Sequence, residues 1–251
     1  MTDTIKLRAI HKLEGHIELI TGLRIGGSDA EMRIGGLDNP ILKHPHNGRP
    51  YIPGSSIKGK TRALLELASG LMHKTKGGVL SYSSLNGENE KLKKFASGIL
   101  RVFGTGGSEL NTELGPTRAS FSDAVLDPEW LDTAMNRMWP LTEVKTENDV
   151  NRIRGSAENL RHTERIPAGA KFHFFITFKE MMEGDSSLIK DVLLFGLKLL
   201  ESDTLGGNGS RGYGRIKIEF KEEININEQE KKKLHEVFEG ININEMFKAL
   251  E

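Results

Sequence analysis

The order of apolar patterns along the chain predicts an α+β fold with a βαββαβ core, the ferredoxin-like or RRM-like arrangement. Three observations lead to this fold class. Strand-like and helix-like apolar periods follow one another in that order. No internal repeat of fixed period is visible. Glycine-rich or polar stretches separate the periodic segments. The expected fold is therefore a modified core with insertions between its elements.

Two apolar periods define the predicted core elements. Apolar residues alternate in 5–21 and again in 215–221, as in half-buried strands. After Ser55 or Ser56, either of which can cap a helix, apolar residues recur every three to four positions. A further helix is predicted over 89–102. In chain order, the predicted core is a strand at 5–21, a helix from Ser55 or Ser56, strands at 117–126 and 171–178, a leucine-rich helix at 186–202 and a strand at 215–221.

Several non-periodic stretches accompany this core. An irregular loop over 22–53 is dense in Gly, Asp, Asn and Pro, and loops of this length usually carry function or are disordered. A polar, alternating stretch covers 143–165. We predict a core domain over 1–222 that includes both, followed by a C-terminal helical appendage over 223–251. A glycine-rich loop over 206–214 precedes the last core strand.

The composition restricts the class of protein. Hydrophobic residues make up 37% and charged residues 28% of the 251 residues, as in an ordinary soluble domain. The absence of cysteine excludes disulfides and thiolate zinc sites. No apolar run approaches the roughly 20 residues of a membrane span, and the first residues are too charged for a signal peptide. These features predict a cytoplasmic protein with no membrane partner.

Two glycine motifs match nucleotide-binding fingerprints but lack their context. The stretch 54–61 fits the P-loop pattern G-x-x-x-x-G-K-[ST]. Pro50 and Pro53, however, lie where a buried parallel strand would have to be. The stretch 207–212 fits G-x-G-x-x-G, but it follows a predicted helix and precedes a strand, the reverse of a Rossmann loop. The glycines are better assigned to tight turns.

The start of the predicted helix has the properties of a phosphate site. The 35 Lys and Arg balance the 35 Asp and Glu of the whole chain, yet 54–76 holds five basic residues against one acidic residue. Free N–H groups at a helix start and the hydroxyls of Ser55 and Ser56 suit an anion. Lys58 and Arg62, one turn apart, lie on one side of the helix. A polynucleotide backbone fits these groups as well as a triphosphate does.

Four motifs, taken in order, carry a family resemblance: GLRIGGSDAEMRIGGLDNPILK, IPGSSIKGKTR, TEVKTENDVNRIRGSAENLRHTERIPAG and LGGNGSRGYGRI. The combination resembles the RAMP superfamily of CRISPR proteins, and more narrowly the backbone subunits of type III-A (Csm) interference complexes. The resemblance runs from about the first strand to Lys221. It implies several copies polymerised along a guide RNA. It also implies a β-hairpin thumb, placed at 143–165, that interrupts pairing of guide and target at regular spacing.

The resemblance further implies a catalytic residue. Family members cleave target RNA with an aspartate in the loop after the first strand, and the IGGLD pattern at 34–38 makes Asp38 the candidate. RNA can be cut by its own 2′-hydroxyl, so the protein need only align the backbone, assist proton removal and stabilise charge. A divalent ion, Mg or Mn, is the expected cofactor, with Asp38 as a ligand. Asp29 is the nearest rival, with loop closure as its expected role. His44 and His46 are expected to be exposed.

The resemblance assigns guide-RNA binding chiefly to the helix start, with contributions from the thumb and the glycine-rich loop. The expected RNA-binding residues are Arg24, Ser55, Ser56, Lys58, Arg62, Arg152, Arg154, Arg161, Arg165, Asn208 and Arg211. The thumb arginines could instead pair with neighbouring acids, namely Glu147, Glu158 or Glu164. The expected partners are the guide RNA, the target RNA, further copies of the chain and other subunits of the type III effector complex.

Three functions remain open at this point. The favoured one is a metal-assisted endoribonuclease subunit. The second is a passive guide-RNA scaffold in which Asp38 is idle, and the third is a P-loop NTPase, which the context of the motif disfavours. The backbone subunit of type III-B complexes is an alternative to the type III-A assignment.

Overall fold

A computed structural model of the protein describes residues 5–26, 40–105 and 114–221. Three features predicted from the sequence lie outside the described residues: Asp38, its rival Asp29 and the C-terminal appendage.

Eight β-strands and four α-helices form in the described ranges. The strands are β1 (Ala9–Leu19), β2 (Tyr51–Ile52), β3 (Ala119–Phe121), β4 (Ala124–Leu126), β5 (Glu143–Val150), β6 (Ala157–Arg165), β7 (Lys171–Glu180) and β8 (Ile216–Phe220). The helices are α1 (Gly54–Ala68), α2 (Glu90–Phe103), α3 (Pro128–Asn136) and α4 (Asp185–Ser202). Short 3-10 helices lie at Leu71–Lys74, Tyr82–Leu85 and Gly209–Arg211. None of the helices in these ranges is long and apolar enough to span a bilayer.

Six strands form one antiparallel sheet in the order β2-β4-β7-β1-β8, with β3 also paired to β7. Strands β5 and β6 form a separate two-stranded sheet. If β3 and β4 are counted as one interrupted strand, the core elements β1, α1, β3/β4, β7, α4 and β8 follow the predicted βαββαβ order. The α+β, ferredoxin-like fold class is therefore confirmed, with α2, α3 and the β5–β6 hairpin as insertions.

Strands β1 and β7 form the centre of this sheet because both alternate between an apolar and a polar face. In their antiparallel register, Ile17 lies opposite Phe172 and His16 opposite His173. Ile17 and Phe172 are fully buried, whereas the two histidines are only partly covered on the other face. A shift of one residue would exchange the faces, so burial of one face fixes the register.

Helices α1, α2 and α4 cover the apolar face of the sheet. Helix α4 is buried on nearly all sides, as expected for a helix that is apolar all round and packs between the sheet and two other helices. At Gly196 a Cβ atom would lie 2.6 Å from Thr61 Cγ2 and 2.7 Å from Leu65 Cδ1. Glycine at this position therefore permits the close contact between α4 and α1.

The start of α1 differs from the prediction. The helix begins at Gly54, with Pro53 in the N-cap position and no side-chain cap from either serine. The N–H group of Gly54 donates instead to Asp123 Oδ1 at 2.7 Å. Ser55 and Ser56 consequently lie inside the first turn of the helix.

Three further elements differ from the sequence-based expectations. The strand predicted over 117–126 is interrupted at Ser122, whose Oγ donates to the Phe175 carbonyl at 2.8 Å and accepts the Phe175 N–H at 3.0 Å. The loop predicted over 22–53 contains the short strand β2. Helix α3 was not predicted, although an Asp N-cap followed by proline is a helix-start signal.

A buried carboxylate joins α4 to its surroundings. Asp185 is fully buried and accepts hydrogen bonds from Arg118 Nε at 3.2 Å and Arg101 Nη1 at 3.1 Å. The backbone N–H groups of Met181 and Met182 donate to the same carboxylate at 3.1 and 3.0 Å. Without the carboxylate, the fully buried guanidinium of Arg118 would lose its counter-charge.

Asp185→Ala should therefore lower the free energy of unfolding of the full chain by about 3–5 kcal/mol, the cost typical of breaking a buried ion pair. Chemical denaturation measures this difference. The matched control is Glu90→Ala, which removes an exposed pair with Lys93 and should have a small effect. Similar losses for the two variants would contradict the structural role assigned to Asp185.

Candidate nucleic-acid interface

Three connections of the fold meet at one edge of the sheet. Because β1 is antiparallel to both β7 and β8, the end of β1 lies beside the start of each of them. Glu18 is opposite Lys171, and Leu19 is opposite Ile216. The loop that leaves β1, the hairpin that enters β7 and the glycine-rich loop that enters β8 therefore converge at this edge.

The two described ends of the segment 27–39, which carries the catalytic candidate, are held together. The N–H group of Leu42 donates to the carbonyl of Ile25 at 2.9 Å. Slightly earlier, Leu23 and Ile166 exchange two backbone hydrogen bonds of 2.9 and 2.8 Å. The chain therefore enters and leaves this segment beside the base of the hairpin.

Glu164, at the end of β6, fastens the returning chain to the hairpin. Its carboxylate is 3% exposed and accepts the Ile41 N–H at 3.0 Å and the Lys43 ammonium at 2.5 Å. Burial acts to raise the pKa of Glu164, but Lys43 and the Ile41 N–H outweigh it and hold the pKa below its usual value. Since the folded-state pKa is lowered, this contact stabilises the fold above the unfolded-state pKa. The contribution is lost as the pH falls through the lowered value.

The glycine-rich loop packs against the chain that leaves β1. The N–H group of Gly207 donates to the carbonyl of Arg24 at 2.8 Å. At Gly214, where φ is 74°, a Cβ atom would lie 1.9 Å from the Leu205 carbonyl oxygen, so only glycine fits. Asn208 also has a left-handed backbone, with φ of 62°. The structure therefore brings Arg24 and Asn208, both predicted RNA contacts, to one junction.

The polar stretch over 143–165 forms a β-hairpin whose strands pair with each other and not with the main sheet. The turn carries Arg152 and Arg154, both exposed, on either side of Ile153, which is 98% exposed. The outer part of the hairpin is thus available for contacts outside the chain.

The other two thumb arginines are ion-paired inside the hairpin. Arg161 pairs with Asp149, and Arg165 Nε donates to Glu143 Oε1 at 2.7 Å. Both acids lie on β5, whereas the acids considered from the sequence were Glu147, Glu158 and Glu164. An RNA phosphate would have to compete with these carboxylates for Arg161 and Arg165.

Tyr213 joins the hairpin to the glycine-rich loop and was missed in the sequence. It is fully buried, and its hydroxyl donates to Glu147 Oε1 at 3.0 Å. Lys145 Nζ and Arg165 Cζ lie 4.5 and 4.9 Å from the centroid of its ring. The available signal was one aromatic residue among glycines, in the stretch GYG.

The protonation states of Tyr213 and Glu147 favour a charge-assisted hydrogen bond between them. Burial, and then the Glu147 carboxylate, raise the pKa of the Tyr213 phenol. Burial also acts to raise the pKa of Glu147, but hydrogen bonds from Lys145 and Tyr213 outweigh it and lower that pKa. At neutral pH a neutral phenol therefore donates to a carboxylate.

A polar groove lies beside this pair. Its volume is about 320 Å³, and its lining residues are Lys145, Glu147, Asn148, Asp149, Arg161 and Arg211. The Arg211 side chain is 51% exposed and lies 3.8 Å from Glu147. Five of the six lining side chains are charged, three basic and two acidic, so a phosphate in the groove would have to be held by the basic ones.

The start of α1 presents the groups predicted for an anion. Ser55 is exposed, and Ser56 and Lys58 are half-buried. The first turn contains no acidic residue, and Asp123, which accepts the Gly54 N–H, lies at the positive end of the helix dipole.

Arg62 points into the protein. Its Nε donates to Glu66 at 2.6 Å, and its other nitrogens donate to the carbonyls of Leu80 and Phe103 at 3.2 and 3.5 Å. Only 13% of the side chain is exposed. These contacts give Arg62 a structural role, and its predicted contact with RNA would require them to be broken.

The context of the P-loop pattern is that of an ordinary helix. The strand before Gly54 is β2, a two-residue strand at the edge of the sheet and antiparallel to its neighbour. Lys60, which would reach the phosphates in a P-loop, has its ammonium 2.7 Å from Asp203 Oδ2. Both features disfavour the NTPase hypothesis.

The expected Mg or Mn site cannot be assembled from the described residues. Within these ranges, no group of three or more His, Asp or Glu is placed to hold a metal ion. His44 and His46 are exposed, as expected, with ring centroids 5.4 Å apart. The predicted divalent ion therefore rests on Asp38, outside the described residues.

The family comparison assigns this ferredoxin-like fold to a known class of protein. The family described as the RAMP superfamily matches residues 16–217, and the chain belongs to it. This span includes every element of the core and the hairpin, apart from residues 9–15 of β1 and 218–220 of β8.

Curated relatives narrow the assignment to one branch of that superfamily. A protein of Methanocaldococcus jannaschii named "CRISPR system Cms endoribonuclease Csm3" is 40% identical over 93% of this chain and 90% of the relative. Proteins of the same name from Methanothermobacter thermautotrophicus and Streptococcus thermophilus are 41% and 38% identical. They cover 83% of this chain in each case, and the matches span 82% and 86% of those relatives. The chain is therefore a member of the Csm3 family.

Solved structures agree with this placement. The Csm3–Csm4 subcomplex of a type III-A CRISPR-Cas interference complex includes a chain with 30% identity and a TM-score of 0.51, over 93% of this chain and 97% of that one. Methanopyrus kandleri Csm3 matches with 25% identity and a TM-score of 0.50, over 84% and 75% of the two chains. A chain of a type III-B Cmr-beta complex, 14% identical with a TM-score of 0.51 over 84% and 97%, shares the fold.

The start of α1 yields a prediction that separates two basic residues. Lys58→Ala should weaken guide-RNA binding whatever the guide sequence and reduce the salt slope by about one. It should leave the melting temperature unchanged, since Lys58 forms no ion pair with any residue that the structure describes. Arg62→Ala should lower the melting temperature, because the buried Glu66 carboxylate loses its charged partner and keeps only the Leu80 N–H.

Fluorescence anisotropy at several salt concentrations and thermal denaturation measure the two effects. Lys198→Ala, an exposed cation on α4, is the matched control and should change neither. An unchanged salt slope in Lys58→Ala would exclude a phosphate contact at this helix start.

Proposed function

We propose that this protein is the guide-RNA-binding backbone subunit of a type III-A CRISPR effector complex and that it cleaves complementary target RNA at regular spacing. The observation that carries the proposal is the convergence of the glycine-rich loop, the hairpin base and both ends of the Asp38-bearing segment at one sheet edge. Relatives named as Csm3 endoribonucleases support it, as does the solved Csm3–Csm4 subcomplex.

The described surface supports RNA binding through phosphates. Its contributors are backbone amides and Lys58 at the start of α1, the polar groove beside the glycine-rich loop, and the two exposed arginines of the hairpin turn. Such groups contact phosphates and carry no direct sequence information. A surface of this kind suits a guide RNA, whose sequence differs from one guide to the next.

Cleavage is proposed to depend on Asp38. The 2′-hydroxyl of the target RNA attacks the adjacent phosphorus, the bond to the 5′-oxygen of the next nucleotide breaks, and a cyclic phosphate and a free 5′-hydroxyl result. The Asp38 carboxylate would accept the 2′-hydroxyl proton and water would supply a proton to the leaving 5′-oxygen, while the neighbouring basic groups hold the RNA backbone in line. A bound Mg or Mn ion would add charge stabilisation.

Assembly with other chains is part of the same proposal. The hairpin projects from the main sheet with exposed residues along most of its length. We propose that it contacts RNA and a neighbouring copy of this chain in a filament, and that other subunits of the effector complex join its ends. The similarity of this chain to one in a Csm3–Csm4 subcomplex supports assembly with other subunits. The cytoplasmic location remains a prediction.

Asp38→Ala in a reconstituted guide complex with Mg or Mn should abolish cleavage of matched target RNA and leave target binding nearly unchanged. Removal of a negative charge does not weaken attraction to RNA, so binding and cleavage separate. A target with deoxyribose at the cleavage position should resist, and the products should carry a cyclic phosphate. Denaturing electrophoresis and product mass measure these outcomes.

Asp29→Ala is the matched control, since it removes the same group from the same segment, and it should keep substantial activity. Normal cutting by Asp38→Ala together with loss in Asp29→Ala or His44→Ala would refute the assignment of Asp38. If the unmodified complex binds target but does not cut it, the passive scaffold is the correct function.

Shortening the hairpin tests the assembly. Replacement of residues 148–160 by a two-residue Asn-Gly turn should leave the core folded, because these residues are exposed or nearly so and bury little apolar surface. The cuts should lose their regular spacing, and the filaments should no longer reach their normal length. Unchanged product spacing in the folded variant would show that the hairpin does not set the register.

A further inference from the structure

We propose that Tyr213 is a positioning residue. Its hydrogen bond to Glu147 fixes the direction in which the β5–β6 hairpin leaves the protein, and so fixes where the hairpin-turn arginines meet RNA. The second half of this inference rests on the function proposed above, whereas the first half concerns only the orientation of the hairpin.

The hairpin needs such a contact because no β-ladder attaches it to the body. Its two strands pair with each other and with no strand of the main sheet. In the described residues, β6 buries only Thr163 and Glu164, and no residue of β5 is fully buried. The Leu23–Ile166 backbone bonds anchor the residue that follows β6, and Glu164 fastens the end of β6 to the chain at Ile41. On the β5 side the orientation of the hairpin depends on side chains at its base.

Tyr213 contacts both strands of the hairpin. Its hydroxyl donates to Glu147 on β5, at 3.0 Å. Its ring lies under the cations of Lys145 on β5 and Arg165 on β6, at 4.5 and 4.9 Å from the centroid. A cation near the face of an aromatic ring is attracted to it. One buried side chain thus restrains the two strands together.

The body holds Tyr213 rigidly. The N–H group of the next residue, Gly214, donates to the carbonyl of Gly22 at 2.9 Å, and the carbonyl of Gly214 accepts the Leu205 N–H at 2.8 Å. The backbone of Gly214 packs closely against the body, since a Cβ atom there would lie 1.9 Å from the Leu205 carbonyl oxygen. The Tyr213 ring therefore holds the hairpin in a defined position relative to the main sheet.

Glu147, which accepts the hydrogen bond from Tyr213, lies directly before an irregularity in the hairpin. The pairing register shifts between Glu147 and Asp149, so the strand bends there and its twist changes. Tyr213 holds the inner part of the hairpin, and the outer part, with Arg152 and Arg154, lies beyond the irregularity. A small rotation at Glu147 becomes a large displacement at the turn.

Two spin labels measure this orientation without RNA. The chain has no cysteine, so Ile153→Cys at the hairpin turn and Leu67→Cys on α1 give the only labels, and both side chains are well exposed. In the parent, pulsed electron spin resonance should give one narrow distance distribution. Tyr213→Phe, which keeps the ring but loses the hydroxyl, should raise the population of other distances about tenfold, as expected for a lost hydrogen bond to a charged group.

Two further variants complete the series. Glu147→Gln keeps an acceptor and should give an intermediate distribution. Thr146→Val removes an exposed hydroxyl one residue away, bonded to His162, and should match the parent. Melting temperatures verify that each variant is folded. A distribution in Tyr213→Phe as narrow as in the parent would overturn the inference.

The effect on RNA is read separately in the assembled complex. Tyr213→Phe should cleave matched target as completely as the parent but at irregular spacing. Uniform spacing in a variant whose distance distribution has broadened would overturn the link between Tyr213 and RNA register. Failure of the parent complex to cut would reject the proposed cleavage, while the spin-label distances would still decide whether Tyr213 orients the hairpin.

Discussion

The antiparallel pairing of β1 with both β7 and β8 is the constraint on which the proposed site depends. Pairing in this sense places the last residue of β1 beside the first residues of the other two strands, as the Leu19–Ile216 pair shows. Three connections that are far apart in the chain then share one sheet edge. The backbone bonds between Leu23 and Ile166 continue the pairing beyond the sheet and bring the hairpin base to the same place.

Sequence patterns predict the core because periodicity is a local property. Helix α4 and strands β1 and β8 begin and end near their predicted bounds. The pattern cannot show which side chains become partners across the fold. Lys58 and Arg62 lie on one side of a helical wheel, yet Arg62 turns inward because Leu80 and Phe103, brought near by the fold, present carbonyls to it. Tyr213 and Glu147 are 66 residues apart, so no local signal joins them.

Charge balance at this edge explains how a chain of zero formal net charge can present an RNA surface. Several basic side chains already have acidic partners: Lys43 with Glu164, Lys60 with Asp203, Arg161 with Asp149 and Arg165 with Glu143. These pairs hold the loops and the hairpin in place. The cations that are left to bind phosphates are therefore fewer than the total number of basic side chains, and the backbone amides at the start of α1 add to them. Affinity per subunit should then be modest, and a long RNA would be held by repeated copies.

The main sheet is held together by backbone ladders, whereas the hairpin is held to it mainly by side chains. The residues that determine the stability of the fold therefore differ from those that determine the direction of the hairpin. A core substitution such as Asp185→Ala acts on the whole fold, since the carboxylate joins α4, α2 and the chain before β3. A change at Tyr213 or Glu147 acts on a hairpin that shares no ladder with the sheet. The direction of the hairpin can therefore change while the core stays folded. In a filament of identical copies, the same small rotation would recur in every subunit, so one residue could shift the register of the entire assembly.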